Sequence, residues 1–267
     1  MLTGVAKSWG FAGPVTLNCI DARDAMNTTQ RAKIEEEIRV RGFFAYRVYG
    51  GPTPQWMYTI GLWETFKHPE IVIAGSAFLK ADDLNSGLRT VTDRIREGEP
   101  VVVEGHLDIP AFGQVGFRPV HATWTEHLLL GALDYYGMES FEAVQIVPSE
   151  KYSTLDTPDL SRAYSANHDT AWSWLVAPWP YRVPDRALVM TEFKVLQGAR
   201  VWFVDRDDAG DWQMFASRDL PPPVDTARIV PLATLFAIDP SLEEVCHLAP
   251  GQYAERGADG QWTTLRE

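Results

Sequence analysis

Aromatic and aliphatic residues recur at every second position of the segment QWMYTIGL, residues 55–62. In an extended strand this spacing puts Tyr58 on one face and both Thr59 and Gly61 on the other. The segment PEIVIAG, residues 69–75, follows after a short polar stretch and is β-branched and almost wholly apolar. Such a run is typical of a central strand that is buried on both faces. The two segments therefore predict neighbouring strands of one sheet.

Helical spacing is found on both sides of these strands. Residues 27–41 begin with Asn and Thr capping candidates and end before a glycine, which predicts a helix. A second helix is predicted over residues 84–98, where apolar residues recur at i, i+4, i+7 and i+11 and a glycine stands at the C-cap. Residues 125–137 predict a third helix, with Thr125 as its N-cap.

Further strands are predicted between and after these helices. They cover residues 43–50, 100–109, 141–148, 187–196 and 199–207, and the last of them begins a hairpin with an acidic, glycine-containing turn. The connections are short in several places, which allows antiparallel pairing. The predicted fold class is α+β, with a mixed, largely antiparallel sheet and flanking helices, followed by a smaller β-rich α+β part.

The length of 267 residues favours two domains over one. We predict an amino-terminal α+β domain over residues 1–148 and a β-rich domain over residues 186–267. Between them, residues 149–185 are rich in proline and tryptophan. Because large aromatic side chains usually pack, we expect this segment to be an ordered connector with a short helix near residues 169–175.

The chain is acidic, with 24 Lys and Arg against 36 Asp and Glu and a formal net charge of −12. Acidic residues are in excess both before and after Arg186, so neither part offers a basic face. Binding to nucleic acid or to anionic membranes is therefore not expected, because both depend on Lys and Arg.

The apolar segments are too short for a membrane span, and the first residues lack the continuous apolar core of a signal peptide. Cys19 and Cys246 lie far apart and fit no metal-binding spacing, so we expect two reduced thiols. These features predict a soluble, cytoplasmic protein.

The polar connection between the first two strands carries the strongest candidates for chemistry. His68 and Glu70 are two residues apart, so in a strand they face the same side and could form an acid–base pair or hold a metal. Tyr58 and Thr59 could orient a ligand there, and Gly61 would let it approach the backbone closely. The competing interpretation, which we favour, is that His68 and Glu70 satisfy local backbone groups at the start of a strand.

The other histidines give weaker signals. His106 lies in a predicted strand, and His127 follows His121 by six residues, a spacing that does not place both on one helical face. A metal site built from these residues and His68 would depend on the tertiary fold, so a metal is possible but not indicated. The sequence contains no glycine motif for phosphates or dinucleotides, and no cofactor is predicted.

Several short blocks together resemble the bacterial family known as domain of unknown function 4262. They are YTIGL (residues 58–62), HPEIVIAG (68–75), Leu84-Asn85 and QIV (145–147). The resemblance spans about residues 30–148. It adds Asn85 and Gln145 to the candidate ligand-binding residues and implies no established activity. Family members continue after the glutamine with Trp or Pro, Asp and Gly, whereas this chain reads VPSEKYSTLDTP, so a site closed by that segment would differ here.

Two functions stay open at this point. The first, which we favour, is a binding or interaction protein with a ligand cleft in the amino-terminal domain; residues 201–215 and 239–256 are similar to immunity-type modules of unknown function. Its ligand would be a small molecule, a peptide or a protein. The tryptophans proposed as its anchors are Trp56, Trp63, Trp172, Trp174 and Trp179. The second is an enzyme, a hydrolase or small-group transferase, that uses His68 and Glu70 with His106 or His127. The sequence identifies neither the ligand nor the oligomeric state.

Overall fold

The computed structural model describes residues 28–75, 81–109, 113–217 and 226–266, and Cys19 lies outside these ranges. Two six-stranded sheets, each with helices packed against it, account for most of the regular structure. No helix within these ranges has both the length and the apolar character needed to cross a membrane.

The first sheet is built from the amino-terminal part of the chain. Its elements are α1 (Thr28–Arg41), β1 (Phe44–Val48), β2 (Trp56–Ile60), α2 (Leu62–Phe66), β3 (Glu70–Ala74), α3 (Ala81–Arg96), β4 (His106–Ile109), β5 (Gly113–Pro119), α4 (Ala122–Leu128), α5 (Leu130–Tyr136) and β6 (Ala143–Pro148). The strand order is β1-β2-β3-β6-β5-β4. All neighbours are antiparallel except the central pair of β3 and β6, which is parallel.

Strand β2 is buried on both faces, because each face meets a different layer of the fold. Tyr58 and Ile60 pack in a cluster that includes residues of α1, α4 and α5. Met57 points the other way and packs in a cluster with the apolar face of α3. The predicted alternation along β2 and the predicted central position of β3 are both confirmed.

The second sheet is built from the carboxy-terminal part. Its elements are β7 (Leu188–Glu192), α6 (Phe193–Leu196), β8 (Phe203–Arg206), β9 (Trp212–Phe215), β10 (Ala227–Pro231), α7 (Leu232–Ile238), β11 (Gln252–Arg256) and β12 (Trp262–Arg266). The order is β10-β7-β9-β8-β11-β12, and β7 and β9 form the parallel pair. The predicted hairpin is confirmed as β8 and β9. Both sheets are mixed and largely antiparallel, as predicted for an α+β fold.

Two predicted elements of the amino-terminal part are wrong in extent. The strand expected over residues 100–109 begins only at His106, because Gly105 closes a turn by donating to the carbonyl of Val102 at 2.9 Å. The helix expected over residues 125–137 is two helices that break at Leu129, whose φ of −109° and ψ of 30° are not helical.

Two further details are corrected. The N-cap of α4 is His121, whose ring accepts a hydrogen bond from the backbone N–H of Thr123 at 3.2 Å, and Thr125 is buried inside the helix. The strand expected over residues 187–196 ends at Glu192, because the chain turns there into α6 and buries Val195 in the core of the second sheet.

The segment predicted as a connector packs against the end of β3. The backbone carbonyl of Asp156 accepts from the indole N–H of Trp172 at 2.9 Å, and this tryptophan lies in a short 3-10 helix, Thr170–Leu175. A Cβ on Gly75 would lie 2.1 Å from the same carbonyl oxygen, so only glycine fits at the end of β3. The backbone of Leu155 in turn donates to Leu196 of the second sheet region at 2.9 Å. The domain boundaries themselves stay a prediction.

Candidate functional site

Glu70 is the centre of a buried hydrogen-bond network at the start of β3. Its Oε1 atom accepts from the backbone N–H groups of Gly61 and Trp63, each at 3.1 Å, and from the hydroxyl of Tyr136. Its Oε2 atom accepts from the hydroxyl of Thr59 at 2.6 Å. We call these five residues the Glu70 network. The side chain is 0% exposed, so the network is closed to solvent at the carboxylate.

The local sequence explains why this carboxylate sits there. Gly61 precedes α2 with a left-handed φ of 110°, and a Cβ at this position would lie 2.7 Å from Ile38. The turn aims the N–H groups of the N-cap Gly61 and of Trp63 at Glu70, which acts as the acceptor that a helix N-terminus lacks. Thr59 completes the link, because its hydroxyl also accepts from the backbone N–H of Ile71 at 2.8 Å.

The electrostatics of the Glu70 network are those of an enclosed structural carboxylate. Burial raises the pKa of Glu70, and the hydrogen bonds from Thr59 and Tyr136 and from the backbone work in the opposite direction. Burial also raises the pKa of Tyr136, and the adjacent Glu70 carboxylate raises it further. Tyr136 therefore stays a hydroxyl that donates to the carboxylate.

His68 lies near Glu70 in sequence but serves a different contact. Its Nδ1 atom is 2.7 Å from the carbonyl oxygen of Pro69, and its Nε2 atom accepts from the backbone N–H of Val101 at 3.1 Å. Because the carbonyl can only accept, Nδ1 carries the proton and the ring is neutral. Burial lowers the pKa of His68, which favours the same state. Both ring nitrogens are thus engaged by the backbone.

Tyr58 and Gln145 are also engaged inside the protein. The hydroxyl of Tyr58 accepts from the N–H of Gly131 at 3.1 Å, and its ring stacks on Tyr46. The Gln145 amide is 0% exposed; it donates to the carbonyl of Pro158 at 2.8 Å and accepts from the N–H of Leu160 at 3.1 Å. These two candidate ligand-binding residues fix helix α5 and the connector to the sheet.

His106 and His127 lie apart from the Glu70 network. His106 is exposed on the edge strand β4, which is three strands from β3. At about 4.8 Å per strand, this separation is roughly 14 Å across the sheet alone. His127 lies on α4 with its ring 4.9 Å from the ring of Tyr164. The four candidate catalytic residues therefore do not converge on one pocket.

The tryptophans considered as anchors do not form one exposed patch. Trp56 and Trp172 are core residues, and their rings meet at 5.8 Å. Trp174 and Trp179 are partly buried and pack on each other. Trp63 is 42% exposed at the start of α2.

An open pocket lies between helix α3 and the edge strand β1, beside the end of α1. Its volume is about 560 Å³. Three partly or fully buried apolar side chains form its wall, and these are Phe43, Ala45 and Leu88. Its polar lining comes from one face of α3, since Asn85, Arg89, Asp93 and Arg96 follow one another at helical spacing. Arg41, at the end of α1, completes the lining. We call this cavity the Asn85 pocket.

The polar groups of the Asn85 pocket differ in whether they have partners. Arg96 pairs with Asp93 at 2.6 Å and donates to the carbonyl of Arg41 at 2.8 Å. Arg41 pairs with Glu37 on its own helix at 3.1 Å. Within the ranges that the structure describes, Asn85 and Arg89 have no ion pair or side-chain hydrogen bond, and both are exposed. The resemblance suggested Asn85 as a ligand-binding residue, which stays a prediction, and none of the arginines of this lining was proposed, although the polar face of α3 is visible in the sequence.

A second cavity, of about 600 Å³, lies at the opposite edge of the sheet and contains His106. It is lined by charges of both signs, among them Glu104, Arg118, Glu150 and Lys151. Arg118 lies 3.5 Å from Asp159. This mixture of charges gives the second cavity no clear ligand preference.

The described part of the chain contains no group of three or more His, Cys, Asp or Glu residues arranged to hold a metal ion. Cys246 is a free, partly buried thiol, and burial raises its pKa. A thiol with a raised pKa is a poor nucleophile near neutral pH.

These observations define a two-sheet α+β protein whose amino-terminal sheet is organised around a buried glutamate. Residues 37–154, which include this sheet from the middle of α1 onward, match the family model described as "Domain of unknown function (DUF4262)". The resemblance predicted from the sequence blocks is thereby confirmed for this part of the chain. No curated protein and no solved structure matches the chain. The resemblance of the carboxy-terminal part to immunity-type modules stays a prediction.

The geometry gives the family blocks different tasks. The blocks at residues 58–62 and 68–75 build the Glu70 network and the contacts of Tyr58 and His68, all inside the protein. Asn85, by contrast, lines a pocket. The segment after Gln145, where the sequence analysis expects a difference from other family members, packs on Gly75 and supplies none of the described lining of the Asn85 pocket.

Proposed function

We propose that the amino-terminal part of the protein is a ligand-binding module and that its ligand, a small molecule, occupies the Asn85 pocket. The observation that carries this proposal is an open cavity of about 560 Å³ that combines an apolar wall with two exposed side chains, Asn85 and Arg89, that have no partner among the described residues. Volumes of about 300–1,000 Å³ and such a mixed lining are typical of small-molecule sites.

The position of the pocket supports a rigid site. Arg96 ties α3 to the last turn of α1, and Phe43 and Ala45 belong to the same apolar cluster as Leu88. The wall is therefore part of the core of the first sheet. A preformed site loses little conformational entropy when a ligand binds.

The alternative prediction, a hydrolase or small-group transferase, has less support. His68 and Glu70 are buried and hydrogen-bonded to internal groups, and His106 and His127 lie elsewhere. A general acid or base needs access to the substrate. An immunity-type role depends on the carboxy-terminal resemblance and stays a prediction.

A fragment screen followed by amide chemical shifts of the full chain tests the proposal. We expect fragments to shift the amide signals of Ala45, Leu88 and Arg89. The variant Asn85→Trp should block the pocket without disturbing the core, because Asn85 is exposed. The variant Ser86→Trp is the matched control, since the next residue on a helix points about 100° away.

Two outcomes would contradict the proposed function. In one, no fragment shifts these amides. In the other, the shifts persist unchanged in Asn85→Trp. Fragments that shift the pocket amides in the native chain and in Ser86→Trp, but not in Asn85→Trp, support it.

A further inference from the structure

We infer that the ligand of the Asn85 pocket is a monoanion with an apolar, flat or extended body, such as an organic carboxylate, and that Arg89 is the residue that binds its charge. This inference rests on the proposed function, because it names the class of ligand for that pocket. Its support comes from the charges of the lining, their partners and the position of Arg89.

The charge of the pocket is positive although the chain as a whole is acidic. Three arginines line it, and the net charge of the protein is −12. The distant acidic groups repel an anion only weakly, because physiological salt screens charges beyond about 8 Å. The arginines of the lining therefore determine which charge of ligand the pocket prefers, and they favour an anion.

The partners of the arginines set the number of charges that the ligand carries. Arg41 is paired with Glu37, and Arg96 is paired with Asp93. Among the residues that the structure describes, Arg89 is the arginine of this lining without an acidic partner. One unmatched positive charge calls for one negative charge, so a carboxylate fits better than a phosphate monoester, which carries about −1.5 to −2 at neutral pH.

The donors of the site suit a carboxylate in shape as well as in charge. The guanidinium of arginine can donate two parallel hydrogen bonds to the two oxygens of a carboxylate. Asn85 lies one helical turn before Arg89, a spacing at which side chains are neighbours. Its amide N–H can therefore add a third donor to the same group.

The apolar wall selects the rest of the ligand. Phe43, Ala45 and Leu88 offer no polar side-chain atoms. A ligand without an apolar body would leave this wall exposed to water. An arylalkanoate, with an aromatic ring on a short chain that ends in a carboxylate, satisfies both halves of the lining.

The test compares two arylalkanoates, 2-naphthylacetate and 4-phenylbutyrate, with the corresponding uncharged carboxamides. Each compound is titrated into the full chain, and binding is followed by the chemical shifts of the protein's backbone N–H signals. We expect each acid to bind about tenfold more tightly than its amide, since a charge-assisted bond contributes more than a neutral one. The variant Arg89→Gln should reduce this ratio to about threefold or less. Arg94→Gln, on the same helix and paired with Glu99, is the matched control and should leave the ratio unchanged. The corresponding aryl phosphate should bind no more tightly than the carboxylate.

The outcomes separate this inference from the proposed function. If acid and amide bind equally well and Asn85→Trp abolishes both, the pocket binds ligands but the monoanion inference is overturned. If the aryl phosphate binds more tightly than the carboxylate, or if Arg94→Gln lowers the ratio as much as Arg89→Gln, the assignment to one charge on Arg89 is overturned. If neither compound shifts the pocket amides, both proposals fail.

Discussion

The Glu70 network and the Asn85 pocket belong to the same sheet region but differ in how their polar groups are satisfied. Each carboxylate oxygen of Glu70 has at least one donor, and the side chain is closed to solvent. Asn85 and Arg89 are exposed and have no such partners among the described residues. A group whose bonds are all used inside the protein stabilises the fold, whereas a group with free bonds beside a cavity can bind something else.

This difference teaches how to interpret a family motif of unknown function. The histidine and glutamate of the HPEIV block have the residue types of a catalytic pair, but their contacts are those of structural groups. Asn85, by contrast, is exposed and has no side-chain hydrogen-bond partner among the described residues. Residue type alone therefore does not show which positions of these blocks keep free hydrogen-bonding groups.

The largest effect should come from removing the centre of the closed network. We expect Glu70→Ala to lower the free energy of unfolding by about 3–5 kcal/mol, because it leaves several buried donors without an acceptor. Urea unfolding at constant pH measures the change. Glu70→Gln should lie between Ala and the native residue, because its amide keeps one acceptor oxygen. Glu97→Ala, at an exposed glutamate, is the control; a Glu70→Ala protein as stable as this control would break the comparison.

Asp156 lies between the two regions in character, because it is buried like Glu70 but not fully hydrogen-bonded. It is 1% exposed, and its Oδ2 atom has no hydrogen-bond partner among the described residues. Burial raises its pKa from 3.8 to about 7. As pH rises, the unfolded chain loses this proton first, so stability falls between about pH 4 and pH 7, by up to about 1.4 kcal/mol per pH unit, and is level above.

Chemical denaturation from pH 5 to pH 8 tests the role of Asp156. The variant Asp156→Asn cannot ionise at this position. Its free energy of unfolding should therefore increase relative to that of the native protein as pH rises toward 7. The exposed Asp185→Asn should follow the native protein throughout. A constant difference between Asp156→Asn and the native protein over this range would show that Asp156 does not titrate as expected.

His68 should have a moderate and local effect. We expect His68→Ala to cost about 1–3 kcal/mol, because the N–H of Val101 and the carbonyl of Pro69 lose their partner. Hydrogen exchange at the Val101 amide should accelerate, and His106→Ala should leave it unchanged.

The lowered pKa of His68 means that the unfolded chain takes up the proton first as pH falls through about 6.5. The contribution of the neutral His68 ring to the free energy of unfolding is therefore lost in acid. Unchanged exchange at Val101 in His68→Ala would contradict the hydrogen bond between the His68 ring and the N–H of Val101.

The smallest effect on stability should come from the open pocket. We expect Asn85→Ala to change the free energy of unfolding by less than about 0.5 kcal/mol, as surface substitutions usually do. The same variant should weaken the binding of arylalkanoates in the chemical-shift titration. A large loss of stability would place Asn85 with the closed network and remove the contrast between the two regions.

Much of the fold could be predicted because periodicity and burial agree. The alternation of residues 55–62 matches β2, and the apolar run after Pro69 matches the central strand β3. Predictions failed where a local turn overrode the pattern. Val102 and Val103 read as strand residues, yet they are exposed in a turn that Gly105 closes.

The Glu70 network and the lining of the Asn85 pocket were harder to predict, because the residues that meet there are distant in sequence. The sequence predicts both Thr59 and Glu70 as site residues, and their side chains are hydrogen-bonded, but Tyr136 completes the network from helix α5. The sequence around Tyr136 gives no sign of this contact. In the proposed site, Arg89 is distinguished from Arg41 and Arg96 because those two are paired with acidic neighbours, and this difference depends on side-chain positions.

The parallel seam between β3 and β6 has a consequence for how the first sheet assembles. Strands β1 to β3 pair in chain order, and so do β4 to β6, with antiparallel partners close in sequence. Joining the two halves at the seam closes a much longer loop, which costs more entropy and tends to be slow. We therefore expect each set of three strands to pair early in folding, and the parallel pairing of β3 with β6 to form last. Because Glu70 begins β3 at this seam, its burial would mark the moment at which the two halves dock.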